Sequence, residues 1–206
     1  MARDITATRA LLIAAARDEF ARHGIGGARV ERIAQQAGVS KERIYGHFGS
    51  KEKLFEAVTV EVLAEHTTAL GLPSGDVVEY VGRIYDFHRD NPQLLRLLLW
   101  EAQHYGAEPA GDDGERREHY AEKVAALAQI LGTEPDQGTA ATLLTLIGLA
   151  VWPHAVPQLA RLIVGGTPEQ AQEVIRARVL EFARLALSTE RLSTAPAPAP
   201  APAPSS

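Results

Sequence analysis

The segment between Val30 and Leu54 contains two short amphipathic stretches that meet at Ala37-Gly38-Val39. Glycine adopts a positive φ without penalty, so Gly38 predicts a tight turn between two helices. The apolar residues of both stretches are expected on their inner faces, packed against the apolar stripe of an earlier helix. These residues are Ile33, Ala34, Ala37, Val39, Ile44 and Phe48, with Leu12, Ala16 and Phe20 on the earlier helix.

Apolar spacing typical of helices continues along the rest of the chain, and no stretch shows the sustained alternation of a strand. The fold class is therefore predicted to be all-α. Ser40 and Ser50 are expected to cap the third and fourth helices, and Thr167, Pro168 and Gln170 form a capping box for the last. The predicted helices span about residues 6–23, 29–37, 41–47, 51–70, 76–89, 93–105, 115–131, 135–152 and 168–187.

This pattern predicts three regions. Residues 1–50 form a three-helix head, and residues 51–190 form a larger helical domain. Residues 191–206 form a tail that alternates Ala and Pro, which cannot pack and is expected to be disordered and extended. Pro153 and Pro157 are expected to kink or break the helix that begins near residue 135.

The charge of the chain is distributed unevenly. Residues 1–53 carry ten Lys and Arg against six Asp and Glu, whereas the remainder carries eleven against twenty. Attraction to phosphate is local and is screened within about 10 Å, so a net charge of −5 does not exclude a nucleic-acid partner at the N-terminal end. The absence of cysteine excludes disulfides, thiolate metal sites and cysteine nucleophiles.

One stretch is long enough to cross a bilayer, because no charged residue occurs between Asp136 and Arg161. It contains Pro153 and Pro157, however, and its densely apolar part covers only residues 143–152. We therefore expect a helix that is buried on all sides against other helices, and not a membrane-spanning helix. The N-terminus lacks the apolar run of a signal peptide, which favours a cytoplasmic location.

Residues 5–60 resemble the TetR (tetracycline repressor-like) family of transcriptional regulators. In the helix-turn-helix of such proteins, a small core fixes the angle at which the second helix enters the major groove. The resemblance rests on the spacing of the helices and on a set of short motifs. They are Ile33-Ala34, Ala37-Gly38-Val39-Ser40, Ile44-Tyr45, His47-Phe48, Ser50-Lys51-Glu52 and Leu54.

The resemblance implies that eight residues lie at the DNA: Arg29, Ser40, Lys41, Glu42, Arg43, Tyr45, His47 and Lys51. Tyr45 and His47 offer an O–H and a ring N–H to phosphates, and Ser40 can donate to phosphate while it caps the recognition helix. Lys51 lies in the first turn of its helix, where its ammonium and the free N–H groups would hold one phosphate. Lys41 and Arg43 are expected to read base edges, with guanine as the natural target.

Three positions depart from the family pattern, and one of them is Gly46, which is smaller than expected between Tyr45 and His47. Glu42 stands where a small residue is usual, and it is expected either to accept from a cytosine N4 or to pair with a neighbour such as Lys41. Arg29 replaces part of a threonine-rich entry to the second helix, so a guanidinium contact to phosphate would substitute for a hydroxyl contact.

The larger domain is predicted to dimerise and to bind a small-molecule effector. A symmetric pair of heads is needed to read two half-sites, and the last two helices, about 139–152 and 168–187, carry apolar stripes wide enough for a core and a homodimer partner. Fully internal helices are the alternative. Polar-tipped and aromatic residues are candidates for the effector pocket: Tyr85, His88, Trp100, Glu101, His104 and Trp152. Core aromatics and satisfied histidines explain the same residues individually.

The resulting hypothesis is a repressor that binds a palindromic double-stranded DNA operator as a homodimer and is released by a small molecule. A helical enzyme or an adaptor without DNA binding is the alternative. The sequence contains no His-Glu-x-x-His or Gly-x-Ser-x-Gly motif, no phosphate-binding loop and no dinucleotide-binding glycine fingerprint. No enzyme activity and no cofactor are therefore expected. Glu101 and His104 have the spacing of a di-iron ligand pair, but no second such pair exists, so no metal is expected.

Overall fold

The computed structural model describes residues 2–108, 111 and 114–193, and it describes side chains from Thr8 to Ser188 within those ranges. This part of the chain is helical, which confirms the predicted fold class. The helices are α1 (Ala2–Gly27), α2 (Val30–Ala37), α3 (Lys41–Phe48), α4 (Lys51–Leu70), α5 (Val77–Asp90), α6 (Pro92–Tyr105), α7 (Gly114–Leu131), α8 (Gln137–Ala155), α9 (Pro157–Val164) and α10 (Pro168–Ser193).

The helix starts follow the predicted capping residues. The Ser40 hydroxyl accepts from the backbone N–H of Arg43 at 3.3 Å, and the Ser50 hydroxyl accepts from that of Lys53 at 3.1 Å. Before α10, Thr167 and Gln170 exchange hydrogen bonds through side chain and backbone, as a capping box requires. Each cap satisfies an N–H group that the helix itself leaves free.

The turn between α2 and α3 depends on Gly38. Its φ of 67° is left-handed, and its N–H donates back to the carbonyls of Ala34 and Gln35. The helices on either side bury Ile33 and Ile44 against Leu12 and Phe20 of α1. Phe48 packs at the edge of the same core, so the predicted tri-helical packing is confirmed.

The core of the head extends beyond the first three helices. Leu54, Phe55 and Val58 of α4 and Leu94 and Leu97 of α6 belong to the same buried cluster. A second cluster joins α5, α7, α8 and α10 around Tyr80, Tyr85 and other side chains. Helix α4 thus contributes its first half to the head and its last residue, Leu70, to the second cluster. The head is therefore packed directly on α4 and α6.

The first helix is interrupted at Gly24, as predicted: φ is 64° and ψ is 179° there, and a short helical segment continues to Gly27. Two later helix ends differ from the prediction. Pro153 lies within α8, and Pro157 begins the separate helix α9, because proline fits the first turn of a helix, where its missing N–H costs nothing. Helix α10 reaches Ser193. The predicted disorder of the Ala-Pro tail concerns residues that, from 194 onward, lie outside the described part of the chain.

The sequence predicted that α8 is buried on all sides, but within this chain one of its faces is exposed. The helix is long and apolar enough to span a membrane by length and composition. Leu143, Leu146 and Ala150 pack into the second cluster, but Leu144 is 71% exposed and Trp152 is 58% exposed. Helix α8 therefore has two apolar faces, of which one packs in the core and the other is exposed.

Candidate functional site

A groove on the head lies between the starts of α2 and α4 and the end of α3. Its volume is about 410 Å³, and its lining includes Arg29, Tyr45 and Lys51. These three predicted residues come from different helices, and the fold brings them together. The first backbone N–H groups of α2 and α4 are also close to this groove, since residues 29–31 and 50–52 line it. Helix N-termini favour anions, and the arrangement suits a phosphate.

Lys51 ties the two sides of this groove together. Its ammonium donates to the carbonyl oxygen of Ala28 at 3.4 Å, so the start of α4 is joined to the residue before the N-cap of α2. This bond is long for an N–H···O bond, and two further N–H bonds of the ammonium remain available for an anion in the groove.

The outer face of α3 exposes Arg43, Tyr45 and His47 to solvent. Within the described part of the chain, the guanidinium of Arg43 has no ion-pair partner. Lys41 behaves differently, because its ammonium pairs with Glu31 of α2 and lies 5.8 Å from the centre of the Tyr45 ring. The hydrogen bond between the two side chains lowers the pKa of Glu31 and raises that of Lys41.

Glu42 has a local role at the start of α3. Hydrogen bonding to its own backbone N–H and to the Ser40 side chain lowers the pKa of its carboxyl group, and the charge of Lys41 contributes less. Lys41 was one of the partners expected for Glu42, but its ammonium forms an ion pair with Glu31 instead. The carboxylate remains exposed beside the groove-facing side of α3.

Glu19 positions the head and was not identified from the sequence. Its carboxylate accepts from the backbone N–H of Arg29 at 2.8 Å and from Nε of Arg32 at 2.8 and 3.0 Å. Burial alone would raise the pKa of Glu19, but the hydrogen bonds from Arg32 and Arg29 outweigh it and the pKa is lowered. The available signal was an acidic residue beside the apolar stripe of α1, directly before Phe20.

The six predicted pocket residues do not share one cavity. Trp100 packs against the head, where its indole lies over Gly24, and His104 is exposed. Tyr85 donates its O–H to the carbonyl of Gln172 at 3.1 Å and lines a small cavity beside α9, whereas Trp152 lines a groove between α8 and α10. His88 and Glu101 are buried between these positions.

A cleft lies between α4 and α7. It measures about 480 Å³, and its lining includes His66, Arg116, His119 and Tyr120. Arg116 reaches from this cleft to Glu101 of α6, to which it donates at 2.7 and 3.3 Å. The sequence had indicated Glu101 but not the residues of α4 and α7.

A second surface on the larger domain is apolar and open. Helices α8 and α10 form a groove of about 630 Å³, lined by Leu149, Trp152, Val174, Phe182 and others. Phe182 is 52% exposed and Leu144 lies on the same outer side of α8. Contiguous exposed apolar surface of this kind marks an interaction site.

Comparison with known proteins matches both regions. A sequence model described as "Bacterial regulatory proteins, tetR family" matches residues 12–58, and one described as "Tetracyclin repressor-like, C-terminal domain" matches residues 76–184. This chain belongs to the TetR family. The family consists of transcriptional regulators, not enzymes, so the expectation that the chain is no enzyme is confirmed by membership.

Several transcriptional regulators are similar over most of this chain. The "HTH-type transcriptional repressor SCO4008" of Streptomyces coelicolor is 42% identical over 80% of this chain and 88% of its own length. The repressor AcnR of Corynebacterium efficiens is 28% identical over 82% and 88%. The crystal structure of SCO4942 of Streptomyces coelicolor superposes with a TM-score of 0.73 and 30% identity, over 87% of this chain and 97% of the other.

Proposed function

We propose that this TetR-family chain represses transcription as a homodimer that binds a palindromic DNA operator and is released by a small molecule. The groove that joins Arg29, Tyr45 and Lys51 carries the proposal, because these three side-chain donors and the starts of two helices line it together. Side-chain donors beside helix N-termini are a common way in which proteins hold a DNA phosphate.

Phosphate contacts fix the register of the head on the duplex. Tyr45 and Lys51 donate to a phosphate in the groove, and Arg29 extends the same contact at the start of α2. Ser40 and His47 lie at the two ends of α3 and contact phosphates on either side of the major groove. Such contacts give affinity without sequence preference.

Base edges are read from the first turn of α3. Arg43 is exposed and without an ion-pair partner among the described residues, so its fork is available to a guanine. Lys41 reads a neighbouring base once it leaves Glu31, and Glu42 accepts from a cytosine N4. The set Arg29, Ser40, Lys41, Glu42, Arg43, Tyr45, His47 and Lys51 thus divides into phosphate contacts and base contacts.

The homodimer forms through α8 and α10. Each chain turns Leu144, Trp152 and Phe182 outward, and the groove between the helices accepts side chains from the same surface of the partner. A two-fold interface repeats one patch on both subunits, so a single apolar face is sufficient. The two heads then present their α3 helices to half-sites one helical turn apart, about 34 Å.

Helix α6 links the effector domain to the head. Trp100 packs on Gly24 of α1, and the side-chain amide of Gln93 donates to Asp18 of α1 at 2.8 Å. On its other side α6 holds Arg116 of α7 through Glu101. A ligand that fits one arrangement of α7 and α6 better than the other shifts the separation of the heads, and therefore their affinity for DNA.

The name of the similar protein SCO4008 supports repression rather than activation. A regulator that binds chromosomal DNA acts in the cytoplasm of a bacterial cell, and we propose that location for this chain.

Binding to duplexes that tile the DNA flanking the encoding gene tests the proposal, with fluorescence anisotropy as the readout. We expect one duplex to bind far more tightly than the rest. Tyr45→Ala should weaken binding to every duplex, whereas Arg43→Ala should reduce discrimination between operator and other DNA by about 1–3 kcal/mol. A chain that binds no duplex at low salt, or variants that all retain the wild-type affinity, would overturn it.

A further inference from the structure

The interior of the larger domain collects basic side chains from three helices. Lys123 of α7 is only 2% exposed and His88 of α5 only 4% exposed. His66 of α4 and His119 of α7 lie beside them, with the ring centres of His66 and His88 5.4 Å apart. None of these four residues belongs to the set that is proposed to contact DNA.

The cluster has unused hydrogen-bonding atoms. Nε2 of His66, Nδ1 of His88 and Nε2 of His119 are buried without a hydrogen-bond partner, and so is the Thr59 hydroxyl, about two turns before His66 on α4. Buried polar atoms normally have partners, because each one left unsatisfied costs about 1–3 kcal/mol. Several such atoms in one place indicate a site that a bound molecule would complete.

Among the described residues, no carboxylate forms an ion pair with Lys123, His66 or His88, although Glu115 lines the same cleft. Glu101 is already held by Arg116, and Glu122 approaches only the outer side of His119, at 4.0 Å. The Lys123 ammonium, which forms no ion pair within the described part of the chain, lies 5.7 Å from the centre of the Tyr120 ring. A buried cation without a carboxylate nearby is destabilising unless an anion arrives.

The pKa directions follow from the same geometry. Burial, with a smaller contribution from the positive charge of Lys123, lowers the pKa of His66 to about 3. Burial, with smaller contributions from His154 and Lys123, lowers the pKa of His88 to about 4. Burial lowers the pKa of Lys123 and of His119 as well. Every group in the cluster is therefore penalised for carrying positive charge in the protein alone, and an anion would relieve that penalty.

The cluster is reached through the cleft between α4 and α7. His66, His119 and Tyr120 form part of its lining together with Arg116 and Glu115, and Val60 and Leu63 supply its apolar wall. An apolar wall with a few convergent polar groups is the usual composition of a small-molecule site.

We propose that this cleft binds an organic anion whose carboxylate reaches His66 and His119, beside the positive charge of Lys123, while its apolar body lies against Val60 and Leu63. The inference rests on the proposed function in one respect, namely that the anion is the effector. Arg116 lines the same cleft and holds Glu101 of α6, so an anion that competes for Arg116 acts directly on the link to the head.

The test compares molecules that differ only in charge. Octanoate and benzoate are titrated against the full-length protein beside octanamide and benzamide, with thermal stability and calorimetric affinity as readouts. We expect the carboxylates to raise the melting temperature at millimolar concentration and the amides to have at least tenfold lower affinity. Equal binding of acids and amides, or no stabilisation by either carboxylate, would overturn the proposal.

Variants of Lys123 separate a binding role from a structural one. Lys123→Met should raise the melting temperature of the protein without ligand, because it removes an uncompensated buried cation, and should weaken carboxylate binding at least tenfold. Lys123→Arg should retain most of the affinity, and Lys53→Met on the exposed start of α4 serves as the matched control. Unchanged octanoate affinity in Lys123→Met would contradict the site.

Operator binding in the same preparations distinguishes this site from the proposed function. Carboxylate binding by a protein that ignores every DNA duplex would leave the site standing and refute the regulator. A protein that binds its operator tightly but is not stabilised by either carboxylate would refute the anion site and leave the proposed function standing.

Discussion

The indole of Trp100 lies against Gly24 so closely that a Cβ atom at position 24 would be 2.7 Å from the ring. Gly24 also has a φ of 64° with ψ of 179°, a conformation that is almost exclusive to glycine. The contact joins α6 to the kink in α1, which is itself a helix of the head. Gly24 is therefore needed both for the backbone and for the packing of the indole.

Gly24→Ala should destabilise the protein by about 1–3 kcal/mol from the backbone alone, and further through displacement of Trp100. Gly26→Ala is the matched control, because position 26 has no positive φ and a Cβ atom added there would meet no atom within 4 Å. The control should change stability by less than about 1 kcal/mol. Urea unfolding of both variants measures the difference, and equal effects would contradict the role of the contact.

Glu19→Gln should destabilise the head by about 1–3 kcal/mol at pH 7, because it weakens the hydrogen bonds to Arg32 and to the backbone of Arg29. The folded pKa of Glu19 is lowered, so this stability is complete above the unfolded pKa of about 4.3 and is lost as pH falls through the folded value. The difference between variant and wild type should therefore shrink below about pH 4.

Denaturation at pH 7 and below pH 4 checks the Glu19 prediction. Glu65→Gln is the control, because its pair with Arg17 is at the surface and contributes about 1 kcal/mol or less. A difference for Glu19→Gln that stays constant with pH would show that its carboxylate charge is not what anchors α2.

Glu31→Gln should tighten operator binding about two- to tenfold, because it frees Lys41 from an exposed ion pair. The same substitution in a Lys41→Met background is the control, since the lysine that would be released is then missing. Anisotropy titrations of the four proteins give the coupling between the two residues. An equal gain in both backgrounds would attribute the effect to general charge and not to Lys41.

Leu144→Glu should weaken the homodimer about 30-fold or more, because a buried carboxylate at the centre of an apolar interface costs about 2 kcal/mol or more. Leu11→Glu places the same charge on α1, at a leucine that is similarly exposed but far along the chain from α8 and α10. Sedimentation velocity over micromolar concentrations measures both. Monomeric wild-type protein, or equal dissociation of the two variants, would contradict the interface.

The head could be predicted because its signals are local. Gly38, the serine caps and the spacing of Ile33, Ile44 and Phe48 each determine a nearby contact, and the structure reproduces them. Lys41 shows the limit of that reasoning, since its partner Glu31 lies on another helix and is not indicated by helical spacing.

The interior of the larger domain could not be predicted because its contacts join distant parts of the chain. Aromatic character suggested Trp100 and Trp152 as pocket residues, yet one packs on α1 and the other faces outward. Lys123 and His119, by contrast, read as ordinary surface residues of an amphipathic helix. Only the packing of α4, α5 and α7 shows that they face His66 and His88.

The salt dependence of operator binding tests the central claim most directly, with Lys51→Ala compared to Lys53→Ala. Lys51 lines the phosphate groove, whereas Lys53, two residues later, pairs with Glu56 at 2.7 Å. Loss of one phosphate contact should reduce the slope of log K against log salt by about one for each bound head. We predict that reduction for Lys51→Ala and a wild-type slope for Lys53→Ala; identical slopes for the two variants would contradict the account.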